Sequence, residues 1–204
     1  MRRRVALAYD ETTLGFYASE ASVYVSRSQG TVNRHLHAFL DRLPQGARIL
    51  EIGCGGGNDC AAMLERGFDV HPTDGVMEMA SKAEERLGRP VRVMRFDELD
   101  AVGLYDAVWA SASLLHVPRQ QLTAVLERVW IALRPGGLHY ASYKSGGVER
   151  RDRFGRYFNS LTIEDVDQAY TGAGRWSLCW TEELMAQGYD GSMAPWVAII
   201  AQRL

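Results

Sequence analysis

The sequence predicts an α/β fold in which an open, mostly parallel sheet carries helices on both faces. Short apolar runs alternate with helical stretches across residues 47–143, and a glycine-dense turn joins the first run to the helix after it. The 204 residues are 47% hydrophobic and 24% charged, enough to bury one core. Buried strands separated by helices need right-handed crossovers, which cover both faces of a parallel sheet.

Up to about Ser28, the rings of Tyr9, Phe16, Tyr17 and Tyr24 fall among small and polar residues without a sustained period, so this stretch is expected to add little to the core. From Thr31 onward, Val32, Leu36, Phe39, Leu40 and Leu43 share one helical face, and Pro44-Gln45-Gly46 stops it. Residues 47–52 read as a buried strand, 59–66 as a helix closed by Gly67, and 68–73 as a second strand. A helix over 76–87 ends at Gly88, and strands follow at 91–95 and 104–110. Leu122, Val125, Leu126, Val129 and Leu133 line a further helix. Pro135-Gly136-Gly137 ends it and leads into a strand over 138–143. Thr162 and Asp165 form a capping box that opens a helix through Tyr170. Strand-like runs at 175–181 and 196–201 flank a turn-rich connection at 188–195.

Lys plus Arg total 23 and Asp plus Glu 25, a formal charge of −2. Such a chain lacks the cationic field of a general nucleic-acid binder. No run approaches the roughly 18 to 20 apolar residues of a membrane span, and Met1-Arg2-Arg3-Arg4 is not followed by a long apolar core. A cytoplasmic protein without membrane or nucleic-acid partners is expected. Cys54, Cys60 and Cys179 are odd in number and lack CxxC spacing, so neither a disulfide framework nor a metal site is expected.

The chemistry concentrates at Glu51-Ile52-Gly53-Cys54-Gly55-Gly56-Gly57-Asn58, a strand running through a bare turn into a helix. Glycines at 53, 55 and 57 let a ligand approach main chain where a side chain would clash. A dinucleotide fingerprint asks for Gly or Ala where Asn58 stands, and here the acid Glu51 precedes the glycines. Asp74 ends the second strand, where a carboxylate accepts both ribose hydroxyls of NAD or of another adenosyl ligand. Asp97, after the third strand, is placed to accept from an adenine amine.

Taken in order, these motifs resemble those of class I S-adenosylmethionine-dependent methyltransferases. Glu51 to Gly57 matches the family's first motif, Asp74 its second acid, and Asp97 its adenine-side acid. Tyr105-Asp106-Ala107-Val108-Trp109 matches the fourth strand, and Leu133-Arg134-Pro135-Gly136-Gly137-Leu138 the turn before the fifth. The likeness implies a Rossmann-like three-layer sandwich, with seven mostly parallel strands and one antiparallel strand near the C-terminus. It also implies S-adenosyl-L-methionine as cofactor. Glu51, Gly53, Cys54, Gly55, Gly57 and Asn58 would hold its methionine and ribose side, and Asp74 with Gly75 its ribose hydroxyls. Met79, Phe96, Asp97 and Ala110 would complete the nucleoside pocket. Trp109 to Pro118, with Tyr140 to Lys144 and Gly155 to Phe158, is similar to a bacterial small-molecule branch related to tellurite-resistance methyltransferases. Val76 departs from the serine often found after the ribose acid. No Asn-Pro-Pro-Tyr or Asp-Pro-Pro-Tyr follows the fourth strand, which argues against methylation of nucleic-acid bases.

A single methyltransferase domain over 1–204 is expected, divided into a lid and helix (1–45), a cofactor-binding core (46–144), and a substrate-side loop with C-terminal strands (145–204). His116, just past the fourth strand, either orients an acceptor and takes its proton or is a structural histidine. Tyr17 and Tyr24 either fold over the cofactor or pack as core aromatics. Lys144 and Arg156 either sit in a solvated basic loop or favour an anionic small substrate. The expected activity is in-line methyl transfer to a small molecule by a monomer or homodimer. Its rivals are a non-catalytic S-adenosylmethionine-binding module and a nicotinamide-dependent oxidoreductase.

Overall fold

The computed structural model describes residues 7–204, so Met1-Arg2-Arg3-Arg4 lies outside the described residues. Seven strands form one sheet in the order β3-β2-β1-β4-β5-β9-β8. These are β1 (Arg48–Ile52), β2 (Asp69–Asp74), β3 (Arg92–Val93), β4 (Tyr105–Ala110), β5 (Leu133–Lys144), β8 (Trp176–Gln187) and β9 (Met193–Arg203). The first five run parallel, while β9 lies antiparallel between β5 and β8. The strand order reverses beside β1, between β2 and β4, and open sheets of this kind bind ligands at such a switch point.

Two apolar clusters sandwich the sheet. Val108, Leu126, Val129 and Tyr170 belong to one, with α5 (Arg119–Ala132) and α6 (Ile163–Ala173). Phe39, Met63, Trp109 and Ile200 belong to the other, with α2 (Leu36–Leu40), α3 (Asn58–Glu65) and α4 (Met77–Leu87). The expected capping box at Thr162 and Asp165 opens α6.

The largest departure from expectation is at the N-terminus. Where no sustained period was read, Glu11–Arg27 forms the 17-residue helix α1, capped by the Asp10 side chain on Thr13 N–H. Its apolar face packs against Val76, the residue before α4, and Met79 of α4, and over the binding cavity, not on the sheet, which is why no core-facing period is visible. The helix expected from Thr31 shortens to α2, because Asn33 turns its side chain to His35 N–H and toward β5. β5 begins at Leu133, so Pro135-Gly136-Gly137 lies inside the strand beside a register shift against β4. The C-terminal strands are longer than expected, leaving residues 188–192 as their connection. A two-residue hairpin, β6 (Arg150–Arg151) with β7 (Tyr157–Phe158), was too short to leave a period in the sequence. Among the described residues, no helix is long and apolar enough to cross a membrane.

Candidate active site

The turn after β1 is fixed by its neighbours. Gly53 and Cys54 donate backbone N–H bonds to Thr73 O at 3.0 and 2.9 Å, and Gly55 N–H donates to Asp74 Oδ2 at 2.9 Å. Val76 N–H donates to Asp74 Oδ1 at 2.9 Å, so one carboxylate holds the glycine turn against the residue that precedes α4, which has no side-chain cap of its own. Gly53 has φ +73°, and a Cβ there would lie 2.5 Å from Ser113 Cβ. Only glycine fits both the backbone and the space.

A cavity of about 730 Å³ opens over this turn, roofed by α1 and bounded on its far side by the β8–β9 hairpin. Glu51, Gly53, Cys54, Gly55, Asn58, Asp74, Gly75, Met79 and Phe96 stand in its wall. Gly57, Asp97 and Ala110 are not among its lining residues. Gly57 is the N-cap of α3, Ala110 is wholly within the core, and Asp97 pairs with Arg95 at 3.3 Å. Asn58 has a bracing contact: its amide donates to Ser28 O at 2.7 Å and accepts from Gly30 N–H, joining the end of α1 to the glycine turn.

Three acids in the wall, Glu51, Asp59 and Asp74, are each buried. Burial pushes Asp74 up to about 6 and raises Glu51 and Asp59 above the usual carboxylate range, with mutual repulsion adding to the rise at Glu51. A cationic ligand would relieve this cost. Ser113 Oγ is buried in the same wall without a hydrogen-bond partner. Buried acids, bare main chain and an unpartnered hydroxyl together suit a ligand that carries positive charge and hydroxyl groups.

On the α1 side, Tyr17, Tyr24 and His116 line the cavity. Tyr17 Oη lies 2.9 Å from His116 Nε2, and His116 Nδ1 lies 2.6 Å from Tyr157 O. The carbonyl can only accept, so Nδ1 carries the proton and Nε2 accepts from the tyrosine. Burial lowers His116 to about 4 and keeps it neutral.

Arg156 and Lys144 are buried and are not among the residues that line the cavity, so neither sits in a solvated loop and neither stands in its wall. Arg156 is 3% exposed, binds Asp152 at 2.9 and 2.7 Å, and donates to Tyr17 Oη at 3.0 Å. Rings of Phe16, Tyr17, Phe154, Phe158 and Tyr189 surround its guanidinium. Lys144 Nζ lies 4.4 Å from the Phe158 ring centre and 5.8 Å from that of Trp196.

A second polar group was not anticipated. Asp59 accepts from Asn33 N–H at 2.8 Å and from Trp109 Nε1 at 2.9 Å, and Asn33 donates to Ser111 Oγ at 2.8 Å. His35 bridges Tyr140 Oη and Glu182 Oε2, each at 2.9 Å. These residues come from five distant segments, and none of them was a candidate site residue in the sequence.

Residues 49–137 match a family described as a methyltransferase domain. The chain is 34% identical over 106 residues to a ubiquinone biosynthesis O-methyltransferase of Xanthomonas axonopodis pv. citri, covering 48% of this chain and 44% of the relative. A protein of the same name from Xylella fastidiosa is 28% identical over 66% of this chain and 63% of its own length. The chain thus spans about half to two thirds of the curated relatives it matches. Among solved structures, a Burkholderia thailandensis 1,6-didemethyltoxoflavin-N1-methyltransferase, with bound 1,6-didemethyltoxoflavin and S-adenosylhomocysteine, superposes with TM-score 0.77 at 20% identity, covering 100% of this chain and 93% of the other. A Methanosarcina mazei S-adenosylmethionine-dependent methyltransferase gives 0.74 at 19% identity, covering 82% and 97%. The motif order and the matched domain agree: over residues 49–137 the chain is similar to a methyltransferase domain, and its seven-stranded sheet has the fold of solved S-adenosylmethionine-dependent methyltransferases.

Proposed function

We propose that the protein transfers the methyl group of S-adenosylmethionine to a small-molecule nucleophile. The observation that carries this reading is the cavity of about 730 Å³ over the glycine turn, with Glu51, Asp59 and Asp74 buried in its wall. That size takes a nucleoside ligand with room for a second small molecule. The cofactor, when bound, supplies a methyl group already activated by its sulfonium.

In this reading the chain aligns the partners and excludes water. Glu51 and the Gly53–Gly55 main chain hold the amino-acid end, Asp74 and Gly75 the ribose, and Met79 with Phe96 the adenine. Asp97 pairs with Arg95, which lines the cavity beside Phe96. Of the N-terminal part, the described residues 7–45 roof the site, while 46–144 bind the cofactor and 145–204 close the acceptor side. Alignment alone contributes on the order of 7 to 11 kcal/mol, whereas a general base adds about 100- to 10,000-fold. Acceptor oxygen is the favoured atom, in line with the O-methyltransferase relatives. The near-neutral charge favours a small molecule over nucleic acid. An anionic acceptor is not favoured, since Arg156 is already neutralised by Asp152. The likeness to the tellurite-resistance branch remains a reading of the sequence.

Thermal unfolding with S-adenosylmethionine, S-adenosylhomocysteine or NAD tests the cofactor assignment. Either adenosyl ligand at 100 times its Kd is expected to add about 2.7 kcal/mol of stability, and NAD none. Stabilisation by NAD alone would instead support an oxidoreductase. Binding of the adenosyl ligands without turnover across a broad acceptor screen would favour the non-catalytic module.

A further inference from the structure

We propose that Tyr17 takes the acceptor's proton while passing its own to His116, with Arg156 as a positioning residue. This rests on the methyl-transfer reading, and it commits to an acceptor that still holds its proton at neutral pH, such as a phenolic hydroxyl.

The hydrogen-bond inventory around Tyr17 leads there. Its oxygen has one proton to give and two lone pairs. The proton points to His116 Nε2, and Arg156 Nη1 fills one lone pair at 3.0 Å. Tyr17 is half-buried in the cavity wall, and in this proposal its remaining lone pair receives the incoming O–H. His116 has no competing role, because Tyr157 O fixes its other nitrogen as a donor. The ring itself is held edge-on between Phe16 and Tyr24 at 5.3 Å each.

Charges around the pair are defined on each side. Arg156 contacts the phenol directly, Asp152 balances Arg156, Lys144 lies behind the histidine, and Tyr24 and Asp74 lie on the cavity side. As the O–CH3 bond forms and the S–CH3 bond breaks, the acceptor proton moves to Tyr17 oxygen and the Tyr17 proton moves to His116 Nε2. The sulfonium charge disappears in the same step, so the positive charge on the imidazolium replaces one lost a short distance away. The proton then leaves to solvent when product departs, and the site returns to its starting state.

Two probe acceptors separate proton removal from alignment: catechol, which keeps its hydroxyl protons at pH 7, and thiophenol, which ionises unaided. Tyr17→Phe and His116→Asn are each expected to lower kcat on catechol about 100-fold or more, and to change thiophenol turnover less than about threefold. Catechol turnover by Tyr17→Phe should climb about tenfold per pH unit above 7, as the acceptor begins to ionise by itself. Arg156→Lys keeps the charge but loses the fork, and is expected to give a smaller loss confined to catechol. Two readouts do not depend on turnover. Calorimetry with S-adenosylhomocysteine should still detect binding in all three variants, and the ¹⁵N resonance of His116 Nε2 should report an accepted hydrogen bond that disappears in Tyr17→Phe. Equal losses on both probes, no loss on either, or wild-type turnover of thiophenol without catechol would overturn the relay. If the wild-type protein methylated neither probe, the relay would also fall. In each case heat from S-adenosylhomocysteine would leave the cofactor reading standing, whereas absence of that heat would remove the cofactor reading itself.

Discussion

Asp74 does two jobs with opposed electrostatic demands. Its two backbone N–H bonds favour the carboxylate, yet burial outweighs them and leaves its folded pKa at about 6, above the ordinary 3.8. A group whose pKa is raised on folding contributes stability at low pH, fully present below 3.8 and lost as pH rises through 6. About 3 kcal/mol is at stake. Buried His116 acts in the opposite direction, contributing stability above 6.5 that is lost as pH falls through about 4. Urea unfolding of Asp74→Asn beside the wild-type protein separates the two. The wild-type protein should lose stability relative to the variant between pH 4 and 7. At Gly53, alanine would meet both a left-handed backbone and the Ser113 side chain, and denaturant unfolding should show a loss of about 1 to 3 kcal/mol.

At the scale of elements, α1 depends on contacts made outside itself. Arg151 holds Asp10 at 2.7 and 2.9 Å, keeps its carboxyl down at about 2, and so fixes the helix N-cap. Thr13 Oγ1 receives Tyr157 N–H at 2.9 Å, and Asn58 holds the far end of the helix. Asp10→Ala should cost about 1 kcal/mol. Hydrogen exchange should locate the effect in residues 11–27 rather than in the sheet. This dependence also explains what the sequence disclosed. The strands and their glycine turn were legible because burial and left-handed backbone are local requirements, met by Ile49 to Gly57 without reference to distant residues. The face of α1 was not, because Tyr17 and Tyr24 pack against each other and against the remote His116 and Tyr189. The charge of Arg156 misled for the same reason: its partners Asp152 and Tyr17 come from different segments, and nothing in the intervening residues records their meeting.

For the whole molecule, the sheet divides the interior into two apolar clusters that share no side chain, while the cavity sits where its strand order reverses. Phe39 is fully buried against Trp109 and Tyr140, below the polar group around Asn33. Phe39→Ala should therefore cost about 3 to 5 kcal/mol in denaturant unfolding and also weaken S-adenosylhomocysteine binding, whereas truncation of Leu126 in the opposite cluster should lower stability alone. The placement of β9 between β5 and β8 has its own consequence. On the ribosome, twelve residues of β8 emerge before β9, with which they pair, so for a time they present an unsatisfied edge to other nascent chains. Slow synthesis through residues 188–203 should then favour clumping, and a chaperone that shields extended segments should relieve it.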